Sequence, residues 1–146
     1  MSHTTTVSEI VISDVAALQS AVAELKERGL DIDLVEQTKP RAYSKNQPGM
    51  EHPAPYTIRV NTGRYDVGLY VNSNGSGYEA RADFFGQDVE RVLGVRSMGD
   101  GDQARLGKLY QMYAVHAATR QAMMKGYQVQ RSEGENGAIQ LNVMVQ

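Results

Sequence analysis

The sequence predicts a single α+β domain in which an antiparallel β-sheet carries its helices on one face. Three observations point there. Several short stretches rich in β-branched residues alternate apolar with polar side chains, the period of a half-buried strand. Two longer stretches repeat apolar residues at helical spacing instead. Turn signals at Asn61-Thr62-Gly63-Arg64, at Asn72 to Gly77 and at Asn136-Gly137 join alternating stretches directly, which is how antiparallel neighbours connect. A chain of 146 residues has the size of one domain, residues 1–146, and can bury a core without staples.

The elements follow in the order βα-β-βββ-αα-ββ. Thr5 to Ile12 is β-branched and reads as the first strand. Ser13 is a suitable N-cap with Asp14 in the first turn, after which Val15, Leu18, Val22 and Leu25 mark one helix face. Gly29, behind Lys26 and Arg28, stops that helix. Leu30, Ile32 and Leu34 alternate with Asp31 and Asp33 as a second strand with one wet face. A meander of three strands comes next: Tyr56, Ile58 and Val60; Val67, Leu69 and Val71; Tyr78, Ala80, Ala82 and Phe84. Gln87 to Val95 reads as a short helix, and Gly99 to Asp102 as a connection. From Gln103 to Lys125 a longer helix presents Leu106, Leu109, Tyr110, Tyr113, Ala114 and Ala117. A hairpin closes the chain, with Tyr127 and Val129 on one strand and Ile139, Leu141, Val143 and Val145 on the other.

Residues 37–55 stand apart as a proline-rich loop. All 4 prolines of the chain fall in it, with Gly49, so regular pairing is not expected. A loop this long in a compact domain is expected to be functional or mobile. It also holds Lys39, Arg41, Tyr43 and Lys45.

Composition narrows the function classes. The chain is 41% hydrophobic and 22% charged, which is ordinary globular usage. No apolar run is long enough to span a membrane, and the polar start Met1 to Thr6 does not read as a signal peptide. The expectation is a cytoplasmic protein without membrane contact. With Cys 0, disulfides, thiolate metal sites and cysteine nucleophiles are excluded together. The net charge of −2 hides a segmental pattern: −5 over residues 1–37, +4 over 38–65, −4 over 66–104 and +3 over 105–146. A local field, rather than the isoelectric point, is what places phosphates.

Catalytic patterns are missing. His3, His52 and His116 stand alone, so no zinc set with convergent ligands is expected. His116, three residues after Tyr113, reads as a hydrogen-bonding core histidine. Asp31 and Asp33 share a strand face but lack a third carboxylate and a phosphate loop, and read as a solvated edge. Asp66 and Asp83 are expected to pair with Arg59 and Arg81 on neighbouring strands. Asn74-Gly75-Ser76-Gly77 joins two strands and so lacks the helix N-terminus of a phosphate cradle. No catalytic residue, metal or cofactor is expected, and no enzymatic activity.

The constellation that remains is aromatic and basic. Tyr 8 against Trp 0 is a skewed set. Arg59, Tyr70 and Arg81 alternate away from the meander's apolar positions, with Arg64 and Tyr65 at the turn between strands. Rings that stack on bases beside guanidiniums that neutralise phosphate are how single-stranded nucleic acid is held.

Several motifs in the same order resemble a known family. They are Tyr65-Asp66-Val67-Gly68, Gly77-Tyr78-Glu79, Ala82-Asp83-Phe84-Phe85-Gly86, the helix segment Leu109 to His116, and Gly126-Tyr127-Gln128-Val129 with Gly137 to Leu141. Together with the opening Met1-Ser2-His3 they resemble the conserved hypothetical plastid and cyanobacterial reading-frame family, which also has bacteriophage members. The likeness is loose over residues 1–36 and good over 56–145. The proline-rich loop, the Gly99 to Asp102 connection and Phe84-Phe85, where that family often has tryptophan, depart from it. The resemblance implies a fold, no established activity, and a place for viral accessory proteins.

The functional expectation is a noncatalytic accessory protein that binds single-stranded nucleic acid, DNA in preference, in the replication or transcription of a phage and thus in host cytoplasm. Lys39, Arg41 and Lys45 would act as a mobile electrostatic clamp, Arg59, Arg64 and Arg81 would contact the backbone, and Tyr43, Tyr65 and Tyr70 would stack on bases. The alternative is an adaptor that recruits an ATPase or RNA polymerase complex by an edge strand or the proline-rich loop, without touching nucleic acid; on either reading a homo-oligomer is an expectation.

Overall fold

In the computed structural model, residues 4–96, 101–135 and 137–145 are described; Gly99 and Asp100 of the expected connection, Asn136 of the expected turn and His3 lie outside them. Among these residues the elements are β1 (Thr4–Ile12), α1 (Val15–Glu27), β2 (Ile32–Thr38), β3 (Ala54–Val60), β4 (Val67–Val71), β5 (Tyr78–Asp83), a 3-10 turn at Phe85–Gln87, α2 (Asp88–Leu93), α3 (Asp102–Arg105), α4 (Gly107–Met124), β6 (Gln128–Glu133) and β7 (Ile139–Met144). Strands β1 to β5 form one antiparallel sheet in the order β1-β5-β4-β3-β2. It is a single α+β domain, as the alternation predicts.

Because β1 and β2 are the two edges, α1 crosses the whole sheet between them. It lays Ala17, Leu18, Ala21, Val22 and Leu25 against the sheet's apolar face, where Ile32, Ile58, Val60, Val67 and Leu69 are fully buried. α4 adds Leu109, Tyr110, Met112 and Tyr113 beside it. The Tyr113 hydroxyl accepts the backbone N–H groups of Ser13 and Asp14 at 3.0 Å each, fixing the start of α1 to the middle of α4. Two helix details differ from expectation. Asp14, not Ser13, is the N-cap: its Oδ1 accepts the Ala17 N–H at 3.0 Å while Oδ2 takes Arg120. Leu106 leaves helical geometry (φ −120°, ψ 24°), so the predicted long helix is α3 and α4 with a buried leucine between them. On α4 Met112 is buried and Ala114 is exposed, a rotation of the face read from the sequence.

The larger departure concerns the sheet's other face, which is covered over β4 and β5 and open toward Asp33 and Arg59. Residues 39–53 fold back over it as a strap. In-register pairs Thr57–Gly68 and Gly68–Arg81 make a row of small side chains beside one long one. Pro40 sits over Gly68, where an added Cβ would meet Pro40 Cγ at 2.7 Å and Tyr70 Cε2 at 2.6 Å. Gln47 and Met50 of the strap are buried. The Arg81 Nη1 donates to the Gly49 carbonyl at 2.9 Å, the Tyr70 hydroxyl to the His52 carbonyl at 2.8 Å, and the Thr4 hydroxyl to the Pro48 carbonyl. The mobile loop expected from its prolines is therefore an anchored cover. Prolines remove ladder donors; they do not prevent single contacts with a distant face.

The hairpin β6–β7 is a separate two-stranded sheet that leans on α4. Glu24 on α1 holds it: its carboxylate accepts both Arg131 Nη atoms (2.9 and 2.6 Å), Arg28 Nη2 at 2.9 Å, and contacts His116 Nε2 at 2.8 Å. The hydrogen bond from Arg131, followed by those from His116 and Arg28, outweighs burial and lowers the Glu24 pKa to about 2. Arg28 also pairs with Glu133 of β6.

Candidate nucleic-acid interface

Three buried carboxylates arrange the basic side chains. Asp66, 1% exposed, accepts the Arg41 N–H at 2.8 Å, its guanidinium at 3.0 and 2.8 Å, and the Val60 N–H at 3.1 Å. Asp83 accepts the N–H of Tyr43 at 3.1 Å and of Phe85 at 3.0 Å. Asp88 accepts the Arg64 N–H at 2.8 Å and its Nε at 2.7 Å. The Arg64 side-chain hydrogen bond, ahead of the opposing cost of burial, holds the Asp88 carboxyl below the usual carboxylate range. Asp66 and Asp83 thus pair within the strap, not with Arg59 and Arg81 as expected from the strand register.

The nine residues singled out in the sequence do not share a surface. Tyr65, at 5% exposed, belongs to the core, and burial raises its pKa. Tyr70 lies under the strap, its ring 4.7 Å from the Arg81 guanidinium carbon and its hydroxyl on His52. Arg81 donates from Nη1 to the Gly49 carbonyl and from Nη2 to Glu79, while its buried Nε has no partner among the described residues. Arg59, Tyr70 and Arg81 do share a sheet face, as alternation required, but the strap covers Tyr70 and Arg81 and leaves Arg59 exposed beside Asp33, its register partner. Lys39 donates to the Lys45 carbonyl, which closes the strap on itself. A base cannot reach Tyr65 or Tyr70 without breaking these contacts.

A different group does come together at one end of the strap. Asp83 seats the backbone of Tyr43 and of Phe85 on its two oxygens, and the two rings meet edge to face at 6.2 Å. Both are unusually open for aromatics, 67% and 46% exposed. Beyond Phe85 the chain takes positive φ at Gly86 (76°) and Gln87 (64°), a sharp corner that starts α2. Arg64 fills the space over Gly86, where a Cβ would stand 2.2 Å from its Nη2. Arg64 and Arg91 converge on Asp88, at 2.7 and 3.8 Å, with most of each side chain in solvent. Next to them a cleft of about 470 Å³ is lined by Gln87, Glu90, Arg91, Arg96 and Arg105. Arg105 lies over the Phe84 ring at 5.1 Å and pairs with Glu90 at 3.3 Å. Arg96 has no carboxylate partner among the described residues.

Phe85, Arg91, Arg96 and Arg105 were not singled out by sequence reasoning, although Phe85 alternates outward with Arg81 and Asp83. The missing signal was the chain reversal at Gly86-Gln87, which carries α2 back beside the Arg64 turn. No group of three or more His, Asp or Glu side chains is placed to hold a metal ion among the described residues, and no helix among them is long and apolar enough to cross a membrane. Compared with protein-family models, with curated proteins and with solved structures, the chain matches none.

Proposed function

We propose that this protein binds single-stranded nucleic acid, without catalysis, at the Tyr43–Phe85 corner and not on the open sheet. The observation that carries the reading is the exposed pair of rings seated on one buried carboxylate and bordered by Arg64 and Arg91. Unpaired bases present π-faces that stack on such rings, and the adjoining guanidiniums take the phosphates between them. A duplex hides its base faces, so it offers only its phosphates to this corner. Stacking on the rings and pairing with the guanidiniums serve single-stranded DNA and RNA by the same contacts, and DNA is the strand we favour.

Fluorescence anisotropy with a labelled oligothymidine and its duplex, at two salt concentrations, tests the reading. The single strand binds more tightly than the duplex. With Arg64, Arg91 and Arg96 each on one phosphate, the slope of log affinity against log salt is about −2, since each contact contributes roughly −0.7 on single strands. Equal affinity for both forms, or no binding at low salt, overturns it.

A second reading is supported by charge. Arg41, Arg64 and Arg105 each bring a carboxylate partner, so the corner is less basic than its arginine count. Exposed tyrosine with arginine is also the composition of protein hot spots, which is what the adaptor alternative requires. An affinity that ignores salt favours it.

A further inference from the structure

A cavity beneath the hairpin has no part in that reading. It measures about 530 Å³, within the roughly 300–1,000 Å³ of small-molecule sites. Its walls are Leu25 from the end of α1, Leu30 from the connection to β2, Met112 and Val115 from α4, and Ile139 from β7. Of the two cations on its rim, Arg28 is committed to Glu24 and Glu133. The other, Lys108, is half-buried and has no carboxylate within salt-bridge distance among the described residues. Gly137 and Ala138, just ahead of β7, also line it and add almost no bulk.

We propose that this cavity binds an amphipathic anion, a single apolar chain ending in a carboxylate, of the medium-chain fatty-acid type. The apolar walls remove the chain from water, which is the main favourable contribution. The Lys108 ammonium, half-buried and without a carboxylate partner among the described residues, is the group that selects the head. A neutral alcohol of equal length fills the same walls but leaves Lys108 as it is. A cationic amphiphile places like charges together at the mouth.

Calorimetric titration with decanoate below its micelle concentration, against 1-decanol, is the test. One decanoate binds per chain and more tightly than decanol; Lys108→Gln weakens decanoate about tenfold, the size of one charge-assisted hydrogen bond, and leaves decanol unchanged. Val115→Phe, which occupies the cavity, weakens both. Should that variant not fold, methyl resonances of Val115 and Ile139 in the unaltered chain shift saturably with decanoate, and those of the sheet do not. Absence of saturable binding overturns the proposal, as does a decanoate affinity equal to that of decanol or indifferent to Lys108→Gln, or shifts located elsewhere.

Discussion

The strap and the hairpin are both covers laid over a finished core, and they are held in opposite ways. The strap is tied by buried charge: Asp66 and Asp83 grip its backbone from below, and Arg41, Arg81 and Tyr70 close the gaps. The hairpin is tied by ion pairs nearer solvent, Arg131 and Arg28 on Glu24 and Arg28 on Glu133, with a cavity left between Ile139 and the helices. A desolvated carboxylate that has satisfied several N–H groups cannot give them up singly without leaving orphans. A half-exposed ion pair exchanges with water at small cost. The first kind of attachment fixes backbone, and so displays Tyr43 beside Phe85 already in position, which would lower the ordering cost of the proposed binding. The second leaves room for a hinge and for a guest.

The difference can be broken from the strap side first. Asp66→Ala orphans the N–H of Arg41 and of Val60 and unseats the strap, a loss of about 3–5 kcal/mol in urea denaturation, the range for a buried pair stripped of one partner. Gly68→Ala pushes a methyl into Pro40 and the Tyr70 ring, for roughly 1–3 kcal/mol. Its sign is read best in amide exchange, where residues 39–53 lose protection while α1 and α4 keep theirs.

On the hairpin side the effects are smaller and depend on pH. Glu24 titrates near 2 when folded and near 4.5 in the unfolded chain, so its contribution is complete above about pH 4.5 and fades as the pH falls toward 2. After allowance for solvent screening that is about 2 kcal/mol, and Glu24→Gln at neutral pH removes much of it. Exchange of the β6 and β7 amides rises in either case ahead of the sheet's. Smallest of all is Lys26→Ala, which opens the exposed pair with Asp33 (2.7 Å) for less than about 1 kcal/mol by thermal melting.

Much of the fold was legible because it rests on period. Alternation over Val67, Leu69 and Ala80, Ala82 is enough to place β4 and β5 and to say which side faces the helices. Carried two residues back from Val67, the same period sends Tyr65 inward, so the core position of that ring was readable; it was obscured by assigning it to the turn. The strap was not legible. Its anchors are single polar contacts between residues 25 to 40 positions apart, Arg41 with Asp66 and Tyr43 with Asp83, and no periodicity encodes them. Gly68 opposite Thr57, a flat stretch of strand facing away from the helices, is the one local trace that something lies on that face. The corner at Gly86-Gln87 was hidden for a related reason, since a positive φ at glutamine leaves no compositional mark.

On the proposed function, the fixed strap moves the surface for single strands from the sheet to the Tyr43–Phe85 corner. Anisotropy titration of labelled oligothymidine against two variants tests this most directly. Tyr43→Ala with Phe85→Ala weakens binding about a hundredfold, two rings at roughly 1–3 kcal/mol each, with the melting temperature held. Tyr70→Phe, which frees the ring's anchor on His52 but keeps the ring, leaves the affinity unchanged. An affinity untouched by the double variant, or one lost on Tyr70→Phe, would return the interface to the sheet and contradict the account.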